Sequence, residues 1–358
     1  MMLVLGIETS CDETALALVD GAGGTRASAV SSQGDVHRRF GGVVPEMAAR
    51  AHLQNIPPLL EAVLRDARVS LEDVTLVAAT AGPGLVPALL VGLSEGKGIA
   101  LGLQVPFVPV HHIEAHCLSP FLGPGGTPAR EVPESFAALV VSGGHTHLYR
   151  FGGERIERLA RTRDDAAGEA FDKVAKMAGL GYPGGPVVDR LARRGRAGTP
   201  FPLPQFKDGS PDFSFSGLKT GVKERLLGMG RRPQTGLPEA ILSESEADAP
   251  ESLRDLMADF EEAVVAQLED RLTRLHRAGR LAPLLTVSGG VAANSLLRRR
   301  LPAWGAARGV EVLLPEPALT GDNARMVAFA GLRRFRRGRP GEGLDTLARS
   351  RWPLESLE

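Results

Sequence analysis

The sequence predicts an α/β protein, duplicated into two similar domains with a central cleft, and three observations carry that prediction. Short apolar runs of strand type alternate with amphipathic helical stretches. A hairpin followed by a strand–glycine turn–helix unit occurs twice, from "LVLGIE" to "TLVAATAGPG" and from "FAALVVSGG" to "PLLTVSGG". The chain has 358 residues, long for one core and comfortable for two.

The elements follow in order. "LVLGIE" reads as a buried strand that turns through "TSCDE" into "TALALVD", and "GAGG" turns that strand into "TRASAVSSQ". A helix is expected over Pro45–Ala67, with proline at its first position. "TLVAAT" is a strand, "AGPG" a turn, Leu89–Leu103 a helix and "VPFVPVHH" a further strand. The second round begins at "FAALVVSGG" and returns as a hairpin through "HLYRFG" to "RIERLAR". A long amphipathic helix from Ser252 to about Gly279 places Leu256, Phe260, Val264, Leu268 and Leu272 on one face. Residues 1–110 are expected to form the first domain and 111–321 the second, with insertions at 199–250. Of these, 199–220 reads as an ordered insertion or lid and 231–250 as an irregular loop. The last helix, about 322–338, is expected to pack back on the first domain.

Composition narrows the class. Hydrophobic residues at 43% and charged residues at 23% are those of a globular protein. The formal net charge of zero gives no global footprint for nucleic acid; the basic runs Arg298–Arg300 and Arg333–Arg339 read as solvated helix ends. Two cysteines, no leader pattern and no apolar run of the length a membrane span needs point to a cytoplasmic protein.

The chemistry gathers in a few stretches. Ser142, Gly143 and Gly144 end one buried strand and Ser288–Gly290 another. Paired glycines there leave backbone N–H groups free to face an anion, and Gly82–Gly84 is a third such turn. A Cβ at Gly143 would intrude on that approach or demand a disfavoured φ. No Walker lysine motif and no GxGxxG are present, which opposes a P-loop or Rossmann protein. Asp164, Asp165, Glu169 and Asp172 crowd one stretch, either as a solvated helix start or as carboxylates near a ribose. In "VHHIEAH", His112 and His116 are spaced i, i+4 and share one helical face. Ile113 stands where a zinc peptidase has its glutamate base, and Glu114 points away from the histidine face. His111 precedes the helix and reads as structural. A third ligand must come from elsewhere, and Asp322 in "LTGDNARMVAFAG" is the best distant candidate. Asp12 and Glu13, in the first turn, are candidate proton acceptors in the same cleft.

Nine motifs, "GIETSCDET", "FGGVVPEMAARAH", "GPGLVPALLVG", "VHHIEAH", "VSGGHT", "GEAFDKVAKMAGLGYPGGP", "FSFSGLKT", "SGGVAANS" and "GDNARMVA", occur in this order. Together they resemble the tRNA adenosine threonylcarbamoyltransferases, once labelled O-sialoglycoprotein endopeptidases, from Leu3 to about Gly338. The resemblance implies the duplicated actin-like ATPase fold shared with Hsp70 and sugar kinases. It implies transfer of threonylcarbamoyl from threonylcarbamoyl-AMP to the exocyclic amine of the adenosine 3′ of the anticodon, in tRNAs reading codons that begin with A. It implies one metal, usually iron, on His112, His116 and Asp322, although imidazole and carboxylate donors suit zinc or manganese as well. It implies an adenylate site at Val140, Val141, Ser142, Gly143, Gly144, Asp172, Gly185, Asp189 and Asn294. Asp172 and Asp189 would accept from ribose, and Asn294 would hold base or ribose. The partners it implies are a metal-free paralogous subunit and a small P-loop ATPase. Departures are small: "TGDN" stands for the common "CTDN", and His147 stands where glutamine is frequent. A metallopeptidase is opposed by Ile113, a sugar kinase leaves the histidine pair without a role, and a scaffold subunit would lack the full ligand set.

Overall fold

β1 (Leu3–Glu8) is buried along its whole length, as an apolar run without alternation requires of a central strand. It pairs antiparallel with β2 (Glu13–Asp20), which pairs antiparallel with β3 (Thr25–Ser32). On its other side β1 runs parallel to β4 (Leu76–Gly82), and β4 to β5 (Phe107–His111), giving the order β3-β2-β1-β4-β5. A second sheet repeats this plan. β6 (Ser135–Val141), β7 (Thr146–Gly152) and β8 (Arg155–Arg161) are antiparallel, while β9 (Leu284–Ser288) and β10 (Glu311–Leu313) run parallel to β6 and to each other. Read from the hairpin side, its order is β8-β7-β6-β9-β10. The duplication is thus strand for strand. The computed structural model describes residues 2–34, 37, 40, 43–153, 155–234, 249–338 and 343–357.

The chain divides into two units, one of Met1–His37, Gly42–Pro133 and Pro315–Glu358, the other built on Glu134–Leu314. This corrects the boundary expected at residue 110. Residues 111–133 belong to the first unit because β5, which leads into them, is an edge of the first sheet, and 315–321 because they lead into the last helix, which packs on that sheet.

In the first unit, α1 (Pro45–Ala67) and α2 (Val86–Leu103) cover one face of the sheet, burying Ile56, Val63, Leu93 and Ala100 against Leu5, Ile7, Leu16 and Leu18. The α2 segment is 18 residues of mean hydropathy 1.3, long and apolar enough by composition to cross a bilayer, contrary to the expectation from the sequence. In the fold its Leu89, Leu93, Gly96 and Ala100 are buried, the pattern of a core helix. α9 (Ala324–Arg336) lies on the other face. Small residues permit that approach: a Cβ on Gly6 would sit 2.8 Å from that of Ala328, and Ala15, Ala17 and Ala324 form their own cluster.

α3 (His112–Leu118) follows β5 directly and is buried throughout. His111 is its N-cap. Its Nδ1 accepts from the N–H groups of Ile113 and Glu114, and its Nε2 donates to the carbonyl of Trp352 at 2.8 Å. This structural role matches the expectation. Glu114 pairs with Arg334 of α9 at 3.1 Å, with side-chain exposures of 8% and 11%. The expectation that the whole run Arg333–Arg339 is solvated is corrected by that pair. Arg336 and Arg337 are exposed, and Arg339 lies outside the described residues. Removing one partner of a buried pair strands the other's charge. Arg334→Ala should therefore cost about 3–5 kcal/mol, read from urea unfolding, and Glu114→Gln with Arg334→Met should recover most of it. Equal midpoints for wild type and Arg334→Ala would show that the pair adds nothing.

In the second unit, α4 (Ala167–Ala178), α5 (Gly184–Ala192), α6 (Ser216–Gly228), α7 (Glu251–Arg277) and α8 (Ser295–Ala306) share one core with the sheet. The insertion before α6 is ordered by its own aromatics. Phe213 and Phe215 are fully buried, and the buried Arg271 donates to the carbonyls of Asp212 and Pro204. Most of the other expected loop, 235–248, lies outside the described residues. Arg300 is not a solvated helix end: it pairs with Glu262 and Glu269 of α7.

Candidate metal centre and nucleotide pocket

The first site lies wholly in the first unit. Helical spacing brings His112 and His116 to one face of α3, their rings edge to face with centroids 4.7 Å apart. Asp322 reaches them from the turn before α9. Its Oδ1 is 3.0 Å from Nε2 of His116 and 3.6 Å from Nε2 of His112. One donor atom from each of the three residues lies within 4.8 Å of the others, the arrangement of a metal-ligand set.

Glu8, which the sequence reading did not single out, completes the cluster from beneath. It is fully buried at the end of β1, and its Oε2 lies 3.1 Å from Nδ1 of His112. Thr80 Oγ1 donates to the same oxygen at 2.7 Å, and the Ser10 N–H to the other at 2.6 Å. With Glu8 as acceptor, Nδ1 carries a hydrogen, and Nε2, which faces Asp322, is the nitrogen that a metal would take in exchange for its proton. This is the outer carboxylate that metal-bound histidines use. An acid closing an otherwise apolar strand was the signal available in "LVLGIE".

The donor set fits a cation, and the electrostatics say why. Burial opposes a charged imidazole, yet Asp322 and Glu8 outweigh it and push His112 up to about 9. Burial, with Asp322 and Asp12 alongside, pushes Glu13 up to about 9. Carboxylates are crowded here beyond what the protein's own charges neutralise, and a divalent ion relieves that crowding. Ser32 Oγ donates to Glu13 at 3.4 Å.

Packing requires the glycines of the turn Gly82–Gly84. A Cβ on Gly82 would strike the backbone of Arg349, and one on Gly84 would come 2.9 Å from Ser10 Cβ.

The second site lies wholly in the second unit. A cavity of about 390 Å³ is lined by Gly143, Gly168, Phe171, Asp172, Pro183, Gly185, Pro186, Asp189, Arg190, Arg193, Gly290, Val291, Ala293 and Asn294. Three helices begin at its wall: α4 at Gly168, α5 at Gly185, and α8 capped by Asn294, whose Oδ1 accepts the Leu297 N–H. Converging N-termini favour an anion, and Phe171 with the prolines gives an apolar wall for a base.

Of the residues expected here, Gly143, Asp172, Gly185, Asp189 and Asn294 line the cavity. Val140 and Val141 do not, because their side chains are fully buried in β6. Ser142 closes its own turn, its Oγ accepting the His145 N–H at 3.1 Å. Gly143 and Gly144 have ordinary φ, and a Cβ at either meets nothing within 4 Å, which corrects the expected backbone strain. The glycine that tight packing requires in this wall is Gly168, where a Cβ would lie 2.7 Å from the carbonyl carbon of Ser142. Asp172 caps α5 through the Gly184 N–H at 2.8 Å, and burial holds its carboxyl above the ordinary range. Asp189 is engaged within the protein by Ser295, Asn294 and Arg193. Gly168, Phe171 and the α5 arginines escaped the sequence reading because nothing local marks them as wall.

The chain matches the family model of tRNA N6-adenosine threonylcarbamoyltransferase over residues 24–329. It is 49% identical to the tRNA N6-adenosine threonylcarbamoyltransferase of Geobacter sulfurreducens, over 99% of this chain and 98% of that one. It is 45% identical to that of Syntrophotalea carbinolica, over 99% and 97%. Among solved structures it is similar to HypF of T. kodakarensis, with a TM-score of 0.55 and 16% identity over 94% of this chain and 48% of that one. It is also similar to the activator of 2-hydroxyisocaproyl-CoA dehydratase from Clostridium difficile with bound ADPNP, with a TM-score of 0.51 and 12% identity over 94% and 97%. These structural likenesses bear on the fold alone, which is the duplicated actin-like ATPase fold.

Proposed function

The chain belongs to the tRNA N6-adenosine threonylcarbamoyltransferase family, and from that premise we propose how its residues divide the work of transferring a threonylcarbamoyl group to the N6 amine of tRNA adenosine. The observation that carries the reading is the meeting of His112, His116 and Asp322, with Asp322 drawn from 206 residues beyond His116.

His112, His116 and Asp322 would hold one divalent metal, Fe2+ by family, with Zn2+ as the alternative the same donors accept. When bound, it supplies Lewis acidity toward the threonylcarbamoyl carbonyl. Glu8 keeps Nε2 of His112 free for that ligation. The second-unit cavity would take the adenylate of threonylcarbamoyl-AMP, its phosphate toward the helix N-termini and its base toward Phe171. The adenosine amine attacks the donor carbonyl. A nitrogen–carbon bond forms, the bond from the carbonyl carbon to the phosphate oxygen breaks, and AMP leaves with the bonding pair. The amine proton passes to a carboxylate, for which Asp12 and Glu13 are the candidates beside the metal ligands. Glu13, pushed up to about 9 by burial and by Asp322 and Asp12, would serve only once a bound cation relieves that crowding and takes its proton off. The amine is a poor nucleophile, so positioning and carbonyl polarisation carry most of the rate.

A chain of zero formal net charge holds tRNA weakly by itself, since each phosphate contact is a salt-dependent increment. The exposed Arg336 and Arg337 are available for such contacts and Arg334 is not. A metal-free paralogous subunit and a small P-loop ATPase are the partners the reading calls for. The test is transfer of labelled threonylcarbamoyl from threonylcarbamoyl-AMP to tRNA, with each partner added in turn. Label on the adenosine amine only with the complete set supports the reading, and no label under any combination sinks it.

A further inference from the structure

Beneath the second-unit cavity lies an acid that no role above absorbs. Glu261 sits on α7, next to the fully buried Phe260, and is itself only 4% exposed. Its Oε1 accepts from Nδ2 of Asn294 at 2.6 Å. The same Nδ2 lies 3.3 Å from Oδ1 of Asp189, while Oδ1 of Asn294 caps α8. The Asn294 amide is therefore held at both ends, and its orientation follows from Glu261, Asp189 and the helix. We propose that Glu261 is a positioning residue of this pocket: from below it grips Asn294 and fixes the wall, Gly290 to Asn294, that an adenylate meets. The inference rests on reading the cavity as the adenylate site.

The geometry also assigns a charge state. Two carboxyl groups share one amide in a buried place, and both cannot cheaply be ionised. Asp189 is the better supported anion, with Ser295 N–H at 2.8 Å, Ser295 Oγ at 2.6 Å and Arg193 at 2.6 Å. Burial pushes Glu261 up to about 8; the Asn294 bond works against this and the Asp189 charge adds to it. The charged groups acting most strongly on Glu261 are Asp189 of α5 and Arg193 at the C-cap of that helix. From α8 it meets the uncharged Asn294, α4 presents Phe171 to the neighbouring Phe260, and on its own helix Glu262 is turned to Arg300. Near neutral pH the Asp189–Glu261 pair thus carries one negative charge, on Asp189, beside the Asp172, Arg190 and Arg193 that line the same cavity. Above about 8 it gains a second, and an anionic ligand is disfavoured.

The test is calorimetric titration of the full chain with AMP, from about pH 7, where its phosphate is already largely a dianion, to well above the Glu261 value, for wild type, Glu261→Gln and Glu261→Ala. Wild-type affinity should fall on the order of tenfold across the range, the effect of one added charge at roughly 10 Å in an effective dielectric of about 20. Glu261→Gln keeps the grip without the charge, so its profile should be flat at the wild-type low-pH affinity. Glu261→Ala should bind more weakly at every pH. Stability gives a second reading. The unfolded chain releases this proton near 4.5 and the folded chain near 8, so the folded state holds more protons between them. Wild type should therefore lose stability relative to Glu261→Gln as pH rises through that window. Superimposable AMP profiles and stability curves for wild type and Glu261→Gln overturn the charge assignment, and wild-type AMP affinity in Glu261→Ala at every pH overturns the positioning role. Failure of wild type to bind AMP at any pH overturns the adenylate reading and this inference with it.

Discussion

His112→Ala, His116→Ala and Asp322→Ala are each expected to yield a folded chain that holds no stoichiometric metal and transfers threonylcarbamoyl at least roughly a hundredfold more slowly, the equivalent of about 2.7 kcal/mol of lost transition-state stabilisation. The fold should survive because α3 is anchored elsewhere: His111 caps its start and Glu114 ties it to Arg334. Losing the His112 imidazole also removes the charge that holds the buried Glu8 carboxyl down, so Glu8 should keep its proton more readily in His112→Ala. Glu8→Gln is the graded case. It keeps the volume but has a single acceptor oxygen, so it can accept from the Ser10 N–H or from Thr80 Oγ1 but not from both, and an amide N–H turned to Nδ1 favours the other His112 tautomer. Outer carboxylates of this kind are worth about 10–100-fold in metal affinity. Metal analysis after anaerobic purification, circular dichroism and the labelled transfer assay separate these outcomes. Three folded, metal-free variants that still modify tRNA at the wild-type rate would end the metal reading.

The juxtaposition of His112 and His116 was legible in the sequence because helical spacing is local: four residues on, the same face returns. Asp322 stood out as an acid at a helix start, and the fold closes the distance. That the two halves share one plan followed from the repeated pattern of hairpin and glycine turn, while the strand order within each came only from the fold. The domain boundary did not follow from that pattern either. Whether residues 111–133 belong to the sheet before them or after them depends on which strand β5 pairs with, and pairing is non-local. Glu8 and Glu261 escaped for a related reason. Each is an acid at a buried position of an apolar pattern, and the sequence shows the exception without its partner. Arg334 misled in the opposite direction. In a basic run it reads as solvated, and only the buried Glu114 facing it reverses that.

Gly289→Ala is expected to be the most damaging small substitution in the second unit. The two "SGG" turns look equivalent in sequence, but the structure separates them. Gly289 has φ 89° and ψ 162°, a region essentially closed to residues with a Cβ. A Cβ there would also lie 2.7 Å from the carbonyl carbon of Val141 and nearer still to its oxygen, so β6 or the turn must move. Strain of about 1–3 kcal/mol joins an overpacking cost of about 1–3 kcal/mol, a sum near 3 kcal/mol or more. For a unit of this size that lowers Tm by roughly 6–12 °C. AMP binding should fall with it, because Gly289 leads into the turn of Gly290–Ala293 and its carbonyl accepts the Ala292 N–H at 2.8 Å. Gly143→Ala and Gly290→Ala are the controls. A Cβ at either meets no atom within 4 Å, so both should melt within about 0.5 kcal/mol of wild type. Gly143→Val goes further into the cavity and should weaken AMP binding while the chain stays folded. Thermal unfolding and calorimetry on the four variants decide the matter. If Gly289→Ala melts together with Gly143→Ala, the turn relaxes without cost and the asymmetry between the two glycine turns has no energetic content.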